Sequence, residues 1–353
     1  RKPIEDMDAY RASLAQRIDK NEAFLQKLQG AVLKAPKKRI VFAEGEEPTV
    51  IRAAHAFEAA GLGHAVLVGR EELVKENMLT AGLDPSETKL EIINARVSHW
   101  NPEYVDFLYE RLSRQGYLKR DVQRLINQDR NSFTAYMVAL GHADGMVTGV
   151  TRSYDQVLEA VLRVIDPAPG GRVMGMSVVL AKGHTLFIAD TNVTEMPEAE
   201  ELVEIAMEAA RTVQTLGYVP RVAFMSYSTF GNPMGMRSEK VRDAVAMLDE
   251  MEVDFEYEGE MPPELALDPS KRVNYPFMHL TGPANVLIMP AIYSAAISTQ
   301  LVQALGGATV IGPLLLGMDK SVQIAPLSAS VSRVLQVATL AAYEQDIAEA
   351  QAS

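Results

Sequence analysis

The stretch Ile40-Val41-Phe42-Ala43-Glu44-Gly45-Glu46-Glu47-Pro48 decides the fold class of this chain. Its four unbroken apolar residues read as a short buried strand. The acidic loop behind them leads to a helix over Thr49–Ala60 that Gly61 closes. Ala65-Val66-Leu67-Val68 is the next strand and Leu90-Glu91-Ile92-Ile93 another. The pattern continues through Gly145-Met146-Val147-Thr148-Gly149 and a helix over Ser153–Ile165. Strands that alternate with helices predict an α/β fold with a parallel, doubly wound sheet.

Upstream, a charged helix is expected over residues 8–34, with a thin apolar stripe at Leu14, Ile18, Phe24, Leu25 and Leu28. Downstream, Pro167-Ala168-Pro169-Gly170-Gly171 is a stiff, helix-ending joint and reads as a domain crossing. Val173–Leu180 and Thr185–Ala189 flank Ala181-Lys182-Gly183-His184 as a β-hairpin, so the second domain mixes antiparallel strands into its sheet. Helices over 198–216, 238–249 and 294–305 alternate with strands over 222–225, 286–289 and 309–312. A last amphipathic helix spans about 330–344. The expected division is a helical linker at 1–34, a first α/β domain at 35–168 plus 316–353, and an inserted α/β domain at 169–315.

The 353 residues carry a net charge of −12, which repels phosphate backbones and anionic lipid. Nucleic acid and membrane are therefore excluded as expected partners, while a small basic pocket for one anionic ligand is not. The absence of cysteine removes disulfides, thiolate zinc sites and a cysteine nucleophile, and agrees with a cytoplasmic location. The amino terminus has no signal-peptide pattern and does not begin with Met, so the chain reads as cut from a longer one.

Neither glycine-rich phosphate motif occurs. The first strand–loop–helix offers Glu44, Glu46 and Glu47 where a dinucleotide fold would present bare amides, and carboxylates there repel a phosphate; the alternative is a solvated acidic loop. The six histidines show no metal-ligand spacing, so no metal is expected. Two strand-end loops are better candidates. Asp190-Thr191-Asn192-Val193-Thr194 ends one strand before a long helix, which suits a polar or anionic ligand or, equally, a capped turn. Ser226-Tyr227-Ser228-Thr229-Phe230-Gly231-Asn232 follows another, with Arg237 and Lys240 close behind. Its hydroxyls and amides could cradle phosphate or a pantetheine arm, with Phe230 as an apolar rest.

These edges, taken with Ala143–Gly149, Arg221–Ser228 and Val310-Ile311-Gly312-Pro313-Leu314-Leu315-Leu316-Gly317, resemble the phosphotransacetylase family over nearly the whole chain. The resemblance implies a two-domain fold like the isocitrate and isopropylmalate dehydrogenases. The second domain would be inserted in the first, with an interdomain cleft for coenzyme A and acetyl phosphate, and homodimers would be common.

The departures carry as much as the matches. Active members of the family have Asn-Asp-Leu-Ser-Arg-Gly after the Gly-Pro-x-x-x-Gly run. Here its serine and arginine positions hold Pro326 and Leu327, a later aspartate falls at Arg333, and a second arginine falls at Glu159. Acyl transfer between thiol and phosphate needs cations on the phosphoryl oxygens and a base on the thiol, so no catalytic residue is expected.

Ala43–Glu47, Phe187–Thr191, Ala325–Val331 and the linker Glu5–Tyr10 resemble the carboxyl-terminal phosphotransacetylase-like domain of hybrid, NADP-dependent malic enzymes. That resemblance implies a regulatory domain that binds acetyl-CoA and thereby inhibits the attached enzyme, which decarboxylates malate to pyruvate. NADP and a divalent metal would belong to the malic enzyme domain, not to this chain. The expected acetyl-CoA set is Thr191, Asn192, Ser228, Thr229, Phe230, Gly231, Asn232, Lys240, Pro326 and Arg333. Expected partners are acetyl-CoA and a second copy through the inserted domain, with a higher homo-oligomer in the full-length enzyme. The alternatives are an active phosphate acetyltransferase and a dehydrogenase of the related fold.

Overall fold

In the computed structural model, residues 20–181 and 183–352 are described. The start of the helix expected over 8–34, the linker segment Glu5–Tyr10 and Lys182 of the hairpin turn lie outside them; the described helix is Lys20–Lys34. The chain divides into two compact units. The first comprises Gln26–Pro169 with the chain from Met318 on, and the second Gly170–Gly317 with the described residues before Gln26.

The first unit holds β1 (Lys38–Phe42), β2 (Gly63–Val68), β3 (Glu91–Ile93) and β4 (Gly145–Thr148). Its fifth strand, β11 (Ser321–Ile324), follows the strands of the other unit along the chain. The order is β11-β4-β1-β2-β3 and every pairing is parallel. β1 lies at the centre, and Ile40, Val41 and Phe42 are fully buried because helices cover both faces of such a sheet. The helix Pro48–Ala59 turns Val50, Ile51, Ala53, Ala54 and Phe57 inward, and Phe57 meets Phe42 edge to face at 6.3 Å. The last helix, Val331–Ala352, returns to the same core with Val334, Val337, Ala338 and Ala341. Each large apolar side chain so buried contributes about 1.5–3 kcal/mol.

The second unit holds β5 (Met174–Ala181), β6 (His184–Ala189), β7 (Arg221–Met225), β8 (Glu256–Met261), β9 (Val286–Ile288) and β10 (Ala308–Leu316) in the order β10-β5-β6-β9-β7-β8. β5 and β6 pair antiparallel as the expected hairpin and β10 pairs antiparallel with β5, while β6, β9, β7 and β8 run parallel. The parallel strands put the ends of β6 and β7 at one edge of the sheet, with the end of β9 between them.

Two strands depart from the sequence reading. β11 is not among the strands expected from the sequence, and its Gln323 and Ile324 are buried. β8 is absent from that reading because Glu256, Glu258 and Glu260 are poor strand formers. Each of the three carboxylates fastens a loop: Glu256 to Thr281, Glu258 to the His279 amide (2.9 Å), and Glu260 to the loop after β7. Helices Glu71–Thr80, Asn101–Leu112, Lys119–Gln128 and Arg130–Ala139 also appear only in the structure.

Candidate functional site

The loop after β6 is folded around one carboxylate. Asp190 is buried, and its oxygens accept the backbone N–H groups of Gly175 (2.8 Å), Asn192 (2.9 Å), Val193 (3.1 Å) and Thr194 (2.7 Å). A charge removed from water needs such a set of donors. The loop lies so close on β5 that a Cβ at Gly175 would stand 2.9 Å from the Asn192 Cβ. Thr191 is buried with its hydroxyl 3.3 Å from that of Ser177, whereas Asn192 remains half-buried. Thr194 accepts a hydrogen bond from Arg172 (3.0 Å), which also pairs with Glu201 and Glu204.

The loop after β7 uses the same device. Thr229 and Asn232 exchange backbone hydrogen bonds (2.9 and 3.0 Å) across Phe230 and Gly231, whose φ angles of 47° and 90° are both left-handed. This is the geometry of a tight hairpin turn, and Gly231 adopts it without a side-chain clash. Phe230 adopts it too, with its ring against Phe277 (4.8 Å) and Tyr275 (5.5 Å). Beneath the turn Glu260 is fully buried, accepting from the Ser228 hydroxyl, from Arg242 (3.0 Å) and from the Gly231 amide (3.3 Å).

The N–H groups of Ser226 and of Ser228 through Asn232 are thus all donated within the loop or to β8. The loop faces a ligand with side chains rather than amides: Asn232 and Tyr227 are exposed, and Thr229 is half-buried. Lys240 pairs with Glu198 at 2.5 Å, and Arg237 donates to the Tyr293 hydroxyl at 3.0 Å. Seven of the expected ligand positions, Thr191, Asn192 and Ser228 through Asn232, therefore meet at the carboxyl edge of one sheet. Lys240 belongs to the same unit, on the helix Met236–Asp249.

Pro326, Leu327, Arg333 and Glu159 belong to the first unit. Pro326 is half-buried and Leu327 is exposed, just past the end of β11. That segment is fastened to β4's exit: Ala325 donates its amide to Thr148 (2.7 Å) and Ser328 to Val150 (3.0 Å). Gly149 has φ +109°, and a Cβ on it would lie 2.3 Å from the Ala325 carbonyl oxygen. Glu44 holds the same corner by accepting from the Gly149 amide (3.0 Å) and the hydroxyls of Thr151 and Thr148. Burial pushes its carboxyl pKa up, against those hydrogen bonds. Glu159 pairs with Arg163 at 2.5 Å in a groove that also contains Arg111, itself bidentate on Asp166 (2.6 and 2.9 Å). Arg333 is half-buried near the start of the last helix.

The acidic loop read as solvated is not: Glu44 and Glu46 are both buried. Sequence reasoning also passed over Glu260 and Arg242, the pair under the β7 loop. The one signal for them was charge at every second position of β8, the mark of a strand face whose carboxylates all find donors. Among the described residues no group of three or more His, Cys, Asp or Glu could hold a metal ion, and no helix is long and apolar enough to cross a membrane.

A sequence model described as phosphate acetyl/butaryl transferase matches residues 23–342. The NADP-dependent malic enzyme of Rhizobium meliloti is 56% identical over 91% of the chain, and the match covers 42% of that enzyme. The phosphate acetyltransferase of Clostridium acetobutylicum is 32% identical over 81% of the chain and 88% of its own length. A crystal structure of a phosphotransacetylase from Streptococcus pyogenes superposes with a TM-score of 0.85 at 26% identity, covering 92% of this chain and 99% of that one. The two-sheet architecture is the isocitrate dehydrogenase-like fold of that family. The chain thus spans about two-fifths of the malic enzymes it matches, and it belongs to the phosphate acetyl/butaryl transferase family, as the carboxyl-terminal region of those NADP-dependent malic enzymes does.

Proposed function

We propose that this chain is a non-catalytic, acetyl-CoA-binding regulatory domain of an NADP-dependent malic enzyme. One observation carries the reading: the positions that the family resemblance assigns to chemistry hold Pro326, Leu327, Arg333 and Glu159, while the strand-end loops are kept rigid by buried carboxylates. Rigid polar loops bind; without a base and cations they do not transfer an acyl group. The pantetheine arm and acetyl group would meet the uncharged amides of Asn192 and Asn232, with the Phe230 cluster as the apolar wall. Because the amides of the β7 loop are already donated, the coenzyme phosphates would rely on a cation of the same unit, with Lys240 released from Glu198.

Acetyl-CoA regulates only if it favours one conformation of the intact enzyme over another. The test has two arms. The chain is titrated with acetyl-CoA by calorimetry and assayed for acetyl-CoA formation from acetyl phosphate and coenzyme A. Binding with turnover more than about a thousandfold below an active relative is expected, since each lost electrostatic contact costs about a hundredfold to a thousandfold. Turnover within tenfold of such a relative would overturn the reading. In the full-length enzyme, Asn232→Glu should abolish inhibition of malate decarboxylation by acetyl-CoA, and unchanged inhibition would discard this binding site.

A further inference from the structure

A cavity of about 250 Å³ opens at the carboxyl ends of β1, β2 and β3 in the first unit, and none of its lining residues belongs to the loops after β6 and β7. Three arginines from three separate elements line it. Arg70 precedes the helix Glu71–Thr80, Arg96 lies in the short turn Ala95–Val97, and Arg130 opens the helix Arg130–Ala139. The one acidic residue in the lining is Glu46. It accepts from the Arg70 guanidinium (3.0 and 3.2 Å) and amide (2.9 Å), and from Arg130 (2.6 Å). Burial opposes its charge, but the hydrogen bonds from Arg70 and Arg130 prevail and hold its pKa down at about 2. It is therefore an anion at every physiological pH, and the lining carries a net charge of two positives inside a chain of net charge −12.

A structural role explains only part of this set. Glu46 accounts for Arg70 and Arg130, but Arg96 is exposed at the cavity with no side-chain partner among the described residues. The neutral polar residues Asn94, Asn127 and Gln128 line the same space. Guanidinium forks and amides converging on a concave site at the carboxyl edge of a parallel sheet match a tetrahedral oxyanion. The carboxylate that would repel such a ligand is already neutralised by two of the three cations.

We infer that this cavity is a second ligand site, separate from the loops proposed for acetyl-CoA, and that it takes the phosphoryl group of a small phosphate, with Arg96 as the cation that reaches it. The volume exceeds what a bare phosphoryl group fills, so the occupant is either inorganic phosphate with its water or a small phosphate monoester. The proposal is independent of the acetyl-CoA reading, because none of its lining residues belongs to those loops.

The 353-residue chain is titrated with inorganic phosphate and, separately, with glycerol 3-phosphate at fixed low ionic strength. The same titrations are run on Arg96→Ala and on Arg120→Ala, a control that removes a positive charge 79% exposed elsewhere on the first unit. Arg96→Ala should weaken binding about tenfold or more, as expected for one charge-assisted hydrogen bond, and Arg120→Ala should leave it within twofold. An effect of Arg96→Ala on phosphate alone identifies the free ion as the ligand. A larger effect on glycerol 3-phosphate identifies a monoester. Equal losses in both variants, no change in either, or no binding of either probe to the unmodified chain would overturn the inference.

Discussion

The Ser228 hydroxyl donates to the Glu260 carboxylate, and neither residue has any surface exposed to solvent. The contact joins the loop after β7 to the end of β8, and Arg242 supplies the compensating charge at 3.0 Å. A carboxylate in this position is tolerated only because its donors are complete, so the loop and the strand end are fixed together.

Removing the two partners should therefore have unequal effects. Glu260→Ala leaves Arg242 without its buried partner and frees the β7 loop, and should cost about 3–5 kcal/mol of stability. Ser228→Ala removes one donor and should cost about 1–3 kcal/mol. Denaturant unfolding of both variants tests the order, and a larger loss from Ser228→Ala would contradict the role given to Glu260.

Gly149→Ala should be disproportionately harmful for a single methyl. It forces a side chain into a left-handed conformation and directs a Cβ to within 2.3 Å of the Ala325 carbonyl oxygen. The expected cost is about 1–3 kcal/mol for the conformation alone, with displacement of the Pro326 segment in addition. A crystal structure of the variant should show that segment moved away from β4's exit, and an unmoved segment with unchanged melting would be the contrary result.

The Glu46 ion pairs should make stability fall with acid over a defined window. The folded pKa of about 2 lies below the ordinary 4.5, so the unfolded chain binds the proton more readily. The contribution is fully present above pH 4.5 and is lost as the pH falls toward 2. Melting temperatures of the wild-type chain and Glu46→Gln, compared from pH 7 downward, should converge across that window. A gap that stayed constant would show that the charge on Glu46 contributes nothing.

The helix Ile292–Leu305 exposes Tyr293, Ile297, Leu301 and Leu305 at a spacing of four residues. Such a stripe is one continuous apolar face, and a self-complementary face of this kind is the basis for proposing a homodimer through the second unit. Ile297→Glu with Leu301→Glu should convert a dimer into a monomer at micromolar concentration, read by light scattering. A wild-type chain that is monomeric under those conditions would end the proposal.

What the sequence determined by itself was the alternation of elements and the identity of the two strand-end loops. Short apolar runs such as Ile40–Ala43 and turn-forming residues such as those at Pro167–Gly171 are local signals, legible because burial on both faces and restricted backbone geometry act within a few residues. The same local logic failed for β8, whose glutamates look solvated until Thr281, His279, Ser228 and Arg242 arrive from segments 18 to 32 residues away. It failed likewise for Glu46, which is neutralised by Arg70 and by Arg130, 24 and 84 residues along the chain. Whether a charged side chain is a solvated surface group or a buried anchor depends on which donors the fold carries to it. Only the tertiary structure decides that, because desolvation and pairing are properties of the folded neighbourhood and not of the residue.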